Sequence, residues 1–407
     1  MEKILRFIEK YIIPKFLYRR LQPPYHFLLV FLGAFIYGFP SGKMIVIGVT
    51  GTKGKSTTVY FLSKIFEAAG YKIAALSSIQ FKIADEVWIN KLKMTMPGRF
   101  HIQKFLAKAQ KAGCRFAIIE VTSQGVVQSR HKFINFDSAV FTNLAPEHIE
   151  SHGSFENYKQ AKLKFFKNVK NGHIINKDDK YFEEFWNISA KNKIAYSLED
   201  VKGLKLQIAG NFNLSNAAAA IKTAEIYGVE NEVSKKTLSE IKSIPGRMEF
   251  IEEGQNFQII IDYAHTPDSL LNVYKTLQGN QRRLICVFGA AGGGRDKCKR
   301  PAMGKIAAQY CDEIILTNED PYDENPNQIL SDIKSGISDF QFSISNLYEI
   351  VDRREAIEKA LSLAKKDDIV ILTGKGSESS MCVESGKKIP WDEGKIVEEI
   401  LNQQIMN

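Results

Sequence analysis

The stretch Met44-Ile-Val-Ile-Gly-Val-Thr-Gly-Thr-Lys-Gly-Lys-Ser-Thr-Thr58 constrains the fold of this chain more than any other. Its apolar, β-branched start predicts a buried strand over 44–49. Val59, Leu62, Ile65, Phe66 and Ala69 then fall at helical spacing from about Lys55 onward. A strand that runs through glycines into a helix N-terminus aims backbone N–H groups and the helix dipole at one point, which suits a phosphate. The backbone of Gly51, Thr52, Lys53, Gly54 and Thr57 would line that cradle, Lys55 would reach the terminal phosphates, and the Ser56 hydroxyl would ligate Mg²⁺. The strict pattern fails at one position, where Val49 replaces the first glycine. A purely structural glycine turn is the competing reading, and the Lys-Ser pair at the helix start favours a nucleotide.

At 407 residues the chain exceeds one ordinary core, so two or three domains are expected. Its 44% hydrophobic and 25% charged content is that of a soluble globular protein. The net charge of +9 suits nucleic acid, an anionic membrane or anionic substrates alike, but no recognition-helix or zinc-knuckle pattern favours nucleic acid. Five scattered cysteines without a Cys-x-x-Cys pair predict a reduced, cytoplasmic chain with no disulfide frame and no structural zinc.

Residues 1–43 stand apart. Lys3, Lys10, Lys15, Arg19 and Arg20 precede the uncharged stretch Tyr25-His-Phe-Leu-Leu-Val-Phe-Leu-Gly-Ala-Phe-Ile-Tyr-Gly-Phe39. It lacks a small-residue cleavage site and is shorter than the roughly 20 residues of a span. Two readings stand ahead of a true span: an interfacial anchor at the inner membrane face, or a helical hairpin packed on the first domain.

From 44 to 244 strands and helices alternate, the pattern of a doubly wound, mainly parallel α/β sheet. Strands are expected over 44–50, 116–122, 139–144 and 173–176, with helices over 56–69, 100–112, 155–168, 214–227 and 232–243. After Pro245-Gly246 a second, Rossmann-like α/β pattern covers 245–407. Its strands are expected over 258–262, 283–288, 313–317 and 369–373, and its helices over 269–277, 302–310, 329–335 and 353–364. A glycine loop, 289–294, precedes Arg295-Asp296-Lys297 and is a weaker phosphate signal.

Glu120 ends an apolar strand, where Mg²⁺ on the phosphates would be held. His148 and His152 follow another strand at i, i+4 spacing; the rest of a zinc-protease pattern is absent, so a role at the metal or substrate is favoured. Composition makes Lys159, Lys162 and Lys164 a solvated helix face. Asp262-Tyr-Ala-His265 and Gly374-Lys-Gly-Ser-Glu378 place polar groups at strand ends, the edge on which open α/β sheets bind ligands.

In one order, Thr50-Gly-Thr-Lys-Gly-Lys-Ser-Thr57, Glu120-Val-Thr-Ser-Gln-Gly125 with Gln128-Ser-Arg130, Thr142 through Gly153, Asn211 through Asn216, Gly246-Arg-Met-Glu249, Asp262 through Asp268 and Gly374-Lys-Gly376 resemble the motif blocks of the Mur ligase superfamily. These ATP-dependent enzymes add amino acids to the peptidoglycan stem peptide, and the likeness is to the MurE type. The resemblance implies that ATP phosphorylates a substrate carboxylate and an amine attacks the acyl phosphate. It implies that Ser56 and Glu120 hold one Mg²⁺, and that Glu120, His148 and a carbamate on Lys162 hold a second. Asn213, Asn216, Arg247, Asp262 and His265 would surround the adenosine, and Thr95, Ser123, Gln128 and Arg130 the muramoyl peptide. Arg295, Asp320, Tyr322, Gly374 and Glu378 match the amino-acid side.

Three departures matter. Forty-three residues cannot build the family's uridine-diphosphate-gripping domain, so a lipid-linked or otherwise membrane-held acceptor, or a folate-like one, competes with a UDP-linked one. Glu319-Asp-Pro-Tyr322 replaces the Asp-Asn-Pro-Arg of diaminopimelate-adding enzymes; losing the bidentate guanidinium disfavours that amine, and the added acid suits lysine. Ser377 replaces the His of Gly-Lys-Gly-His-Glu, and Met96 one Thr of Thr-Thr-Pro. A nucleotide-binding membrane scaffold that has lost ligation is the reading from another class.

Overall fold

Strand β1 (Ile45–Thr50) is buried along nearly its whole length because both faces of its sheet are covered, which its β-branched run suits. The computed structural model describes residues 15–90, 94–147, 149–278, 282–295, 297–337 and 346–406. Ahead of β1 lies helix α1 (Lys15–Ile36). The first sheet continues through α2 (Lys55–Ala68), β2 (Ile73–Leu76), β3 (Gln80–Ile83), β4 (Glu86–Ile89), α3 (Arg99–Lys111), β5 (Phe116–Glu120), α4 (Ser123–Val127), β6 (Phe136–Phe141), α5 (Ile149–His152), α6 (Phe155–Asn168), β7 (Gly172–Asn176), α7 (Phe182–Trp186), β8 (Asn192–Tyr196), α8 (Asn211–Ile226) and α9 (Asn231–Ser239). Its order is β4-β3-β2-β5-β1-β6-β7-β8. The pairs from β2 through β8 are parallel, and β3 and β4 close one edge antiparallel.

Helix α8 packs on α2 because Ala217, Ala218, Ala219 and Ala220 leave no side chain to hold the two apart. Beneath them Phe66 stacks on Phe116 at 4.1 Å, with Tyr227 edge-on to both.

The second sheet is built from β9 (Glu249–Ile251), β10 (Gln258–Asp262), α10 (Pro267–Gln278), β11 (Leu284–Phe288), α11 (Lys299–Tyr310), β12 (Glu313–Leu316), α12 (Pro326–Ser335), β13 (Leu347–Glu349), α13 (Arg353–Leu363), β14 (Ile369–Thr373), β15 (Ser380–Cys382), β16 (Lys388–Pro390) and α14 (Glu393–Met406). Its order is β13-β12-β11-β14-β10-β9, parallel but for β9, while β15 and β16 pair as a separate hairpin. The doubly wound α/β class read from the sequence is the class observed.

Three expectations change. Strand β6 begins at Phe136, not 139, because Phe136 and Ser138 are buried on either side of Asp137 in the alternation of a strand entering the sheet. Cys286 and Cys311 form a disulfide, correcting the disulfide-free reading; strand β11 and the end of α11 bring their Cα atoms to 6.1 Å across 25 residues of sequence. The glycine loop 289–294 serves close packing, since a Cβ on Gly289 or Gly292 would overlap the carbonyl oxygens of Thr317 and Pro321. In the N-terminal segment, α1 packs on α3 and a 3₁₀ turn (Pro40–Lys43) leads into β1; the residues before Lys15, on which the hairpin reading also rests, lie outside the described residues. Among the described residues no helix is long and apolar enough to cross a membrane.

Candidate active site

The turn after β1 depends on two glycines. Gly51 (φ 155°) and Gly54 (φ 79°) take left-handed conformations, and a Cβ on either would overlap Thr142 or Asn216. Helix α2 then starts at Lys55 with no side-chain cap, leaving its first N–H groups directed at the loop. Lys55 Nζ donates to Thr52 O (2.7 Å), and burial lowers its pKa.

Strand β5 delivers Glu120 beside this turn. Its Oε2 accepts from Ser56 Oγ (2.8 Å) and from the Ser78 amide (2.9 Å). A hydroxyl and a nearly buried carboxylate side by side are the hard oxygen donors a Mg²⁺ ion takes. Ser78, whose Oγ also meets Ser56 Oγ at 2.7 Å, carries no motif and was not foreseen.

Lys162 overturns the solvated-face reading. It is 1% exposed, lies over the Tyr158 ring at 4.5 Å and donates to Gly51 O (2.6 Å). Burial, then the nearby Lys55, drives its pKa well below that of a free lysine. The period of α6 turns Tyr158, Ala161, Lys162, Phe165 and Phe166 inward, which inspection of lysines alone does not register. Lys159 stays outward, paired with Glu184. His148 lies outside the described residues. His152 meets Ser123 Oγ at 3.0 Å, tying α5 to the loop after β5.

Across the turn, α8 brings Asn213 and Asn216 to the P-loop; Asn213 donates to Ala209 O (2.7 Å), and Gly54 packs on the Asn216 amide. From the second sheet, Asp262 accepts from the Met248 and Ala264 amides (2.8 and 2.7 Å), fixing the segment that carries Arg247. Arg247 lies over the Tyr263 ring at 4.4 Å. The two sheets meet where Lys53 Nζ reaches Glu147 (2.9 Å) and Thr266 Oγ1 (2.8 Å), with His265 Nε2 4.0 Å from Glu147. Burial holds His265 far below the usual imidazole range. Glu147 and Thr266 flank residues singled out in the sequence, and only their meeting across the cleft reveals them.

One cleft is lined from the first side by Ser78, Met94 and Thr95 and from the second by Arg247, Tyr263 and Glu378. Arg130 donates to Met96 O, next to Thr95, and to Gln128 Oε1 (2.6 Å), joining three of the residues expected at the acceptor, while Ser123 meets His152 instead. On the far side, Lys375 Nζ bridges Asp320 (2.9 Å) and Glu378 (2.8 Å), and Tyr322 lies near the Arg295 guanidinium at 5.9 Å. The sequence reading offered Asp320 to a substrate; here Lys375 and the Cys382 amide hold it. Glu319 is buried, its Oε2 has no hydrogen-bond partner among the described residues, and burial raises its pKa to about 7. It packs against Gly374, whose φ of 103° keeps that approach open.

A P-loop sheet facing a second α/β domain, with an oxygen-donor pair at the P-loop and a mixed acidic and basic cleft between, is the arrangement of a nucleotide-dependent transfer enzyme of the ligase class. The Mur ligase middle domain matches residues 49–224, and the Mur ligase glutamate ligase domain residues 246–376. A UDP-N-acetylmuramoyl-L-alanyl-D-glutamate–2,6-diaminopimelate ligase of Caldanaerobacter subterraneus subsp. tengcongensis is 37% identical over 392 residues, covering 90% of this chain and 80% of that one. A solved structure with the same enzyme title superposes with a TM-score of 0.57 at 30% identity, covering 89% of this chain and 79% of that one. A Mycobacterium tuberculosis folylpolyglutamate synthase shares the fold, with a TM-score of 0.69 at 15% identity, covering 85% of this chain and 92% of that one. The chain belongs to the Mur ligase family, whose members are ATP-dependent, ADP-forming amide ligases.

Proposed function

We propose that this chain adds the third amino acid to a muramoyl dipeptide in peptidoglycan synthesis. The observation that supports this is the shared cleft, in which Thr95 on the acceptor side faces Glu378 on the amino-acid side and Arg247 on the adenosine side. The acceptor carboxylate attacks the γ-phosphorus of ATP and ADP leaves. The amine then attacks the acyl carbon, phosphate leaves, and the amine's extra proton is lost. Lys55 and the P-loop amides bind and neutralise the phosphates, while Arg130 and Thr95 orient the acceptor carboxylate. Mg²⁺, held by Ser56 and Glu120, would neutralise charge between the phosphates.

Lys162 is the proposed site of a carbamate. Its depressed pKa favours the neutral amine, to which CO₂ adds with loss of one proton. With His148 and Glu120 the carbamate would complete a second metal site. Lys162→Ala should lower turnover by about 10²–10³-fold, as loss of a charge-stabilising group does. Intact-mass measurement in bicarbonate should detect one added CO₂ on the wild type and none on the variant.

The proposed amine is basic, such as lysine. Tyr322 replaces the guanidinium suited to a second carboxylate, and Glu319 keeps an uncommitted oxygen. The test is phosphate release from ATP and Mg²⁺ with lysine, ornithine or diaminopimelate, and with a UDP-linked or lipid-linked muramoyl dipeptide. Release that needs both acceptor and lysine supports the reading. Release with diaminopimelate alone refutes the amine assignment, and no release with any pair refutes the ligase.

A further inference from the structure

Over residues 25–36 helix α1 is apolar on both sides. His26, Leu29, Val30, Gly33, Ala34 and Tyr37 recur at three- and four-residue spacing on the inward side, and Val30 and Ala34 are fully buried where α1 packs on α3. The opposite side presents Phe27, Leu28, Phe31, Leu32, Phe35 and Ile36, of which Phe35 is 66% and Ile36 64% exposed. A surface helix ordinarily turns charged residues outward. Here residues 21–42 contain no Asp, Glu, Lys or Arg. A second exposed strip, Val87, Trp88 and Ile89 on edge strand β4, adjoins the same helix α3, where the Trp88 ring lies 6.4 Å from Phe105.

We propose that the outward face of α1 lies in the interface of an anionic lipid bilayer, parallel to its surface. The charge pattern selects this occupant over a second copy or a protein groove. Residues 10–20 carry Lys10, Lys15, Arg19 and Arg20 without an acidic residue, directly before the uncharged stretch, and the whole chain is +9. Cations flanking an aromatic and aliphatic face are what an interfacial helix needs, since each lysine or arginine near an anionic surface adds attraction to the apolar burial. A basic end repels its own copy.

The helix also sits at an informative place. Phe27 and Phe31 pack edge-on against Phe133, at 5.1 and 5.4 Å, three residues beyond Arg130. The Asn135 amide donates to Ser41 Oγ (3.0 Å), fixing the end of the segment to the same loop. If Gln128 and Arg130 meet the acceptor, as the proposed function holds, α1 sets the acceptor end of the cleft beside the bilayer, where a lipid-linked muramoyl peptide lies. That second step rests on the ligase reading; membrane binding itself does not.

The test is sedimentation of the full chain, without substrates, with vesicles of phosphatidylcholine alone and of phosphatidylcholine with phosphatidylglycerol. Binding is expected to the anionic vesicles, to weaken at high salt, and to fall about tenfold or more in the double variant Phe35→Glu, Ile36→Glu. Ile389→Glu, an exposed apolar site on β16, should bind as the wild type does. An unchanged melting transition shows that the double variant folds. No binding to either vesicle, or equal binding by the double variant, overturns the proposal. So does a concentration-dependent dimer that the double variant abolishes without vesicle binding, which would assign the face to a second copy. Phosphate release with a UDP-linked acceptor, measured separately, reports on the ligase alone.

Discussion

The proposed function has Lys55, Ser56 and Glu120 acting through direct contact with charge, so their effects should be large. Lys55→Ala and Glu120→Gln should each lower amine-dependent phosphate release by about 10³-fold while leaving the melting temperature nearly unchanged. A parallel loss of melting temperature would make their role structural. Glu319 supplies a prediction of a different kind. Burial lifts its folded pKa from the ordinary 4.5 to about 7, so the folded state holds the proton more tightly than the unfolded state. Its contribution to stability is full below about pH 4.5 and is lost as pH rises through 7. Glu319→Gln, which stays neutral, should therefore gain stability on the wild type between pH 5 and pH 8, on the order of 1–3 kcal/mol. Denaturant melts at the two pH values read this, and a difference independent of pH would refute it. Glu120 was legible because it ends an apolar strand; Glu319 was legible only as a motif position, since burial cannot be read from a carboxylate's name.

At the scale of elements, the second sheet is held at its ligand edge by a buried ion pair that no motif announced. Arg353 Nε lies 3.1 Å from both Glu393 oxygens, and its guanidinium donates to Asn318 O (3.1 Å) and Thr373 O (2.8 Å). Those carbonyls immediately precede Glu319 and Gly374, so α13 and α14 together set two cleft residues. Removing one partner strands the other charge: Glu393→Gln should cost about 3–5 kcal/mol in chemical denaturation. Replacing both by apolar residues should recover part of that loss. Recovery of none would mean the pair acts through its carbonyl contacts alone. In the first sheet, Ala218→Leu should cost about 1–3 kcal/mol by pushing α8 from α2 and with it Asn213 and Asn216 from the P-loop. Strand and helix types here followed from period and β-branching. The edge elements β3, β4, β8, β9 and β13 are short and partly exposed, so their apolar pattern was too weak to separate them from loops.

Over the whole molecule, the two sheets touch through Lys53, Glu147, Thr266 and His265. Lys53 reaches both sides of the cleft, which makes it a lock between the domains as well as a P-loop residue. Lys53→Met should raise the KM for ATP about tenfold with a smaller change in kcat, because it loosens the approach of the domains more than the chemistry. Equal falls in kcat and kcat/KM would place Lys53 in the transition state instead. The proposed hinge for that approach is the linker 243–246, where Gly246 (φ 64°) lies against the Gly376–Ser377 backbone. A Cβ there would collide with that backbone, so the hinge and the Gly374–Glu378 loop are mechanically joined.

The sequence by itself determined the α/β class, the P-loop, the ligase family and the strand-end positions of Glu120 and Asp262. These follow from local periodicity and from short spacings that one turn must obey. Tertiary structure decided what depends on distance in space: the burial of Lys162 against Gly51, the Cys286–Cys311 bond, the orphaned oxygen of Glu319 and the outward apolar face of α1. The physical reason is that a residue's solvation and partners are set by segments tens to hundreds of positions away. Lys162 has the same side chain as Lys159 three residues earlier, and only the packing of α6 buries one against Gly51 and leaves the other at the rim, paired with Glu184.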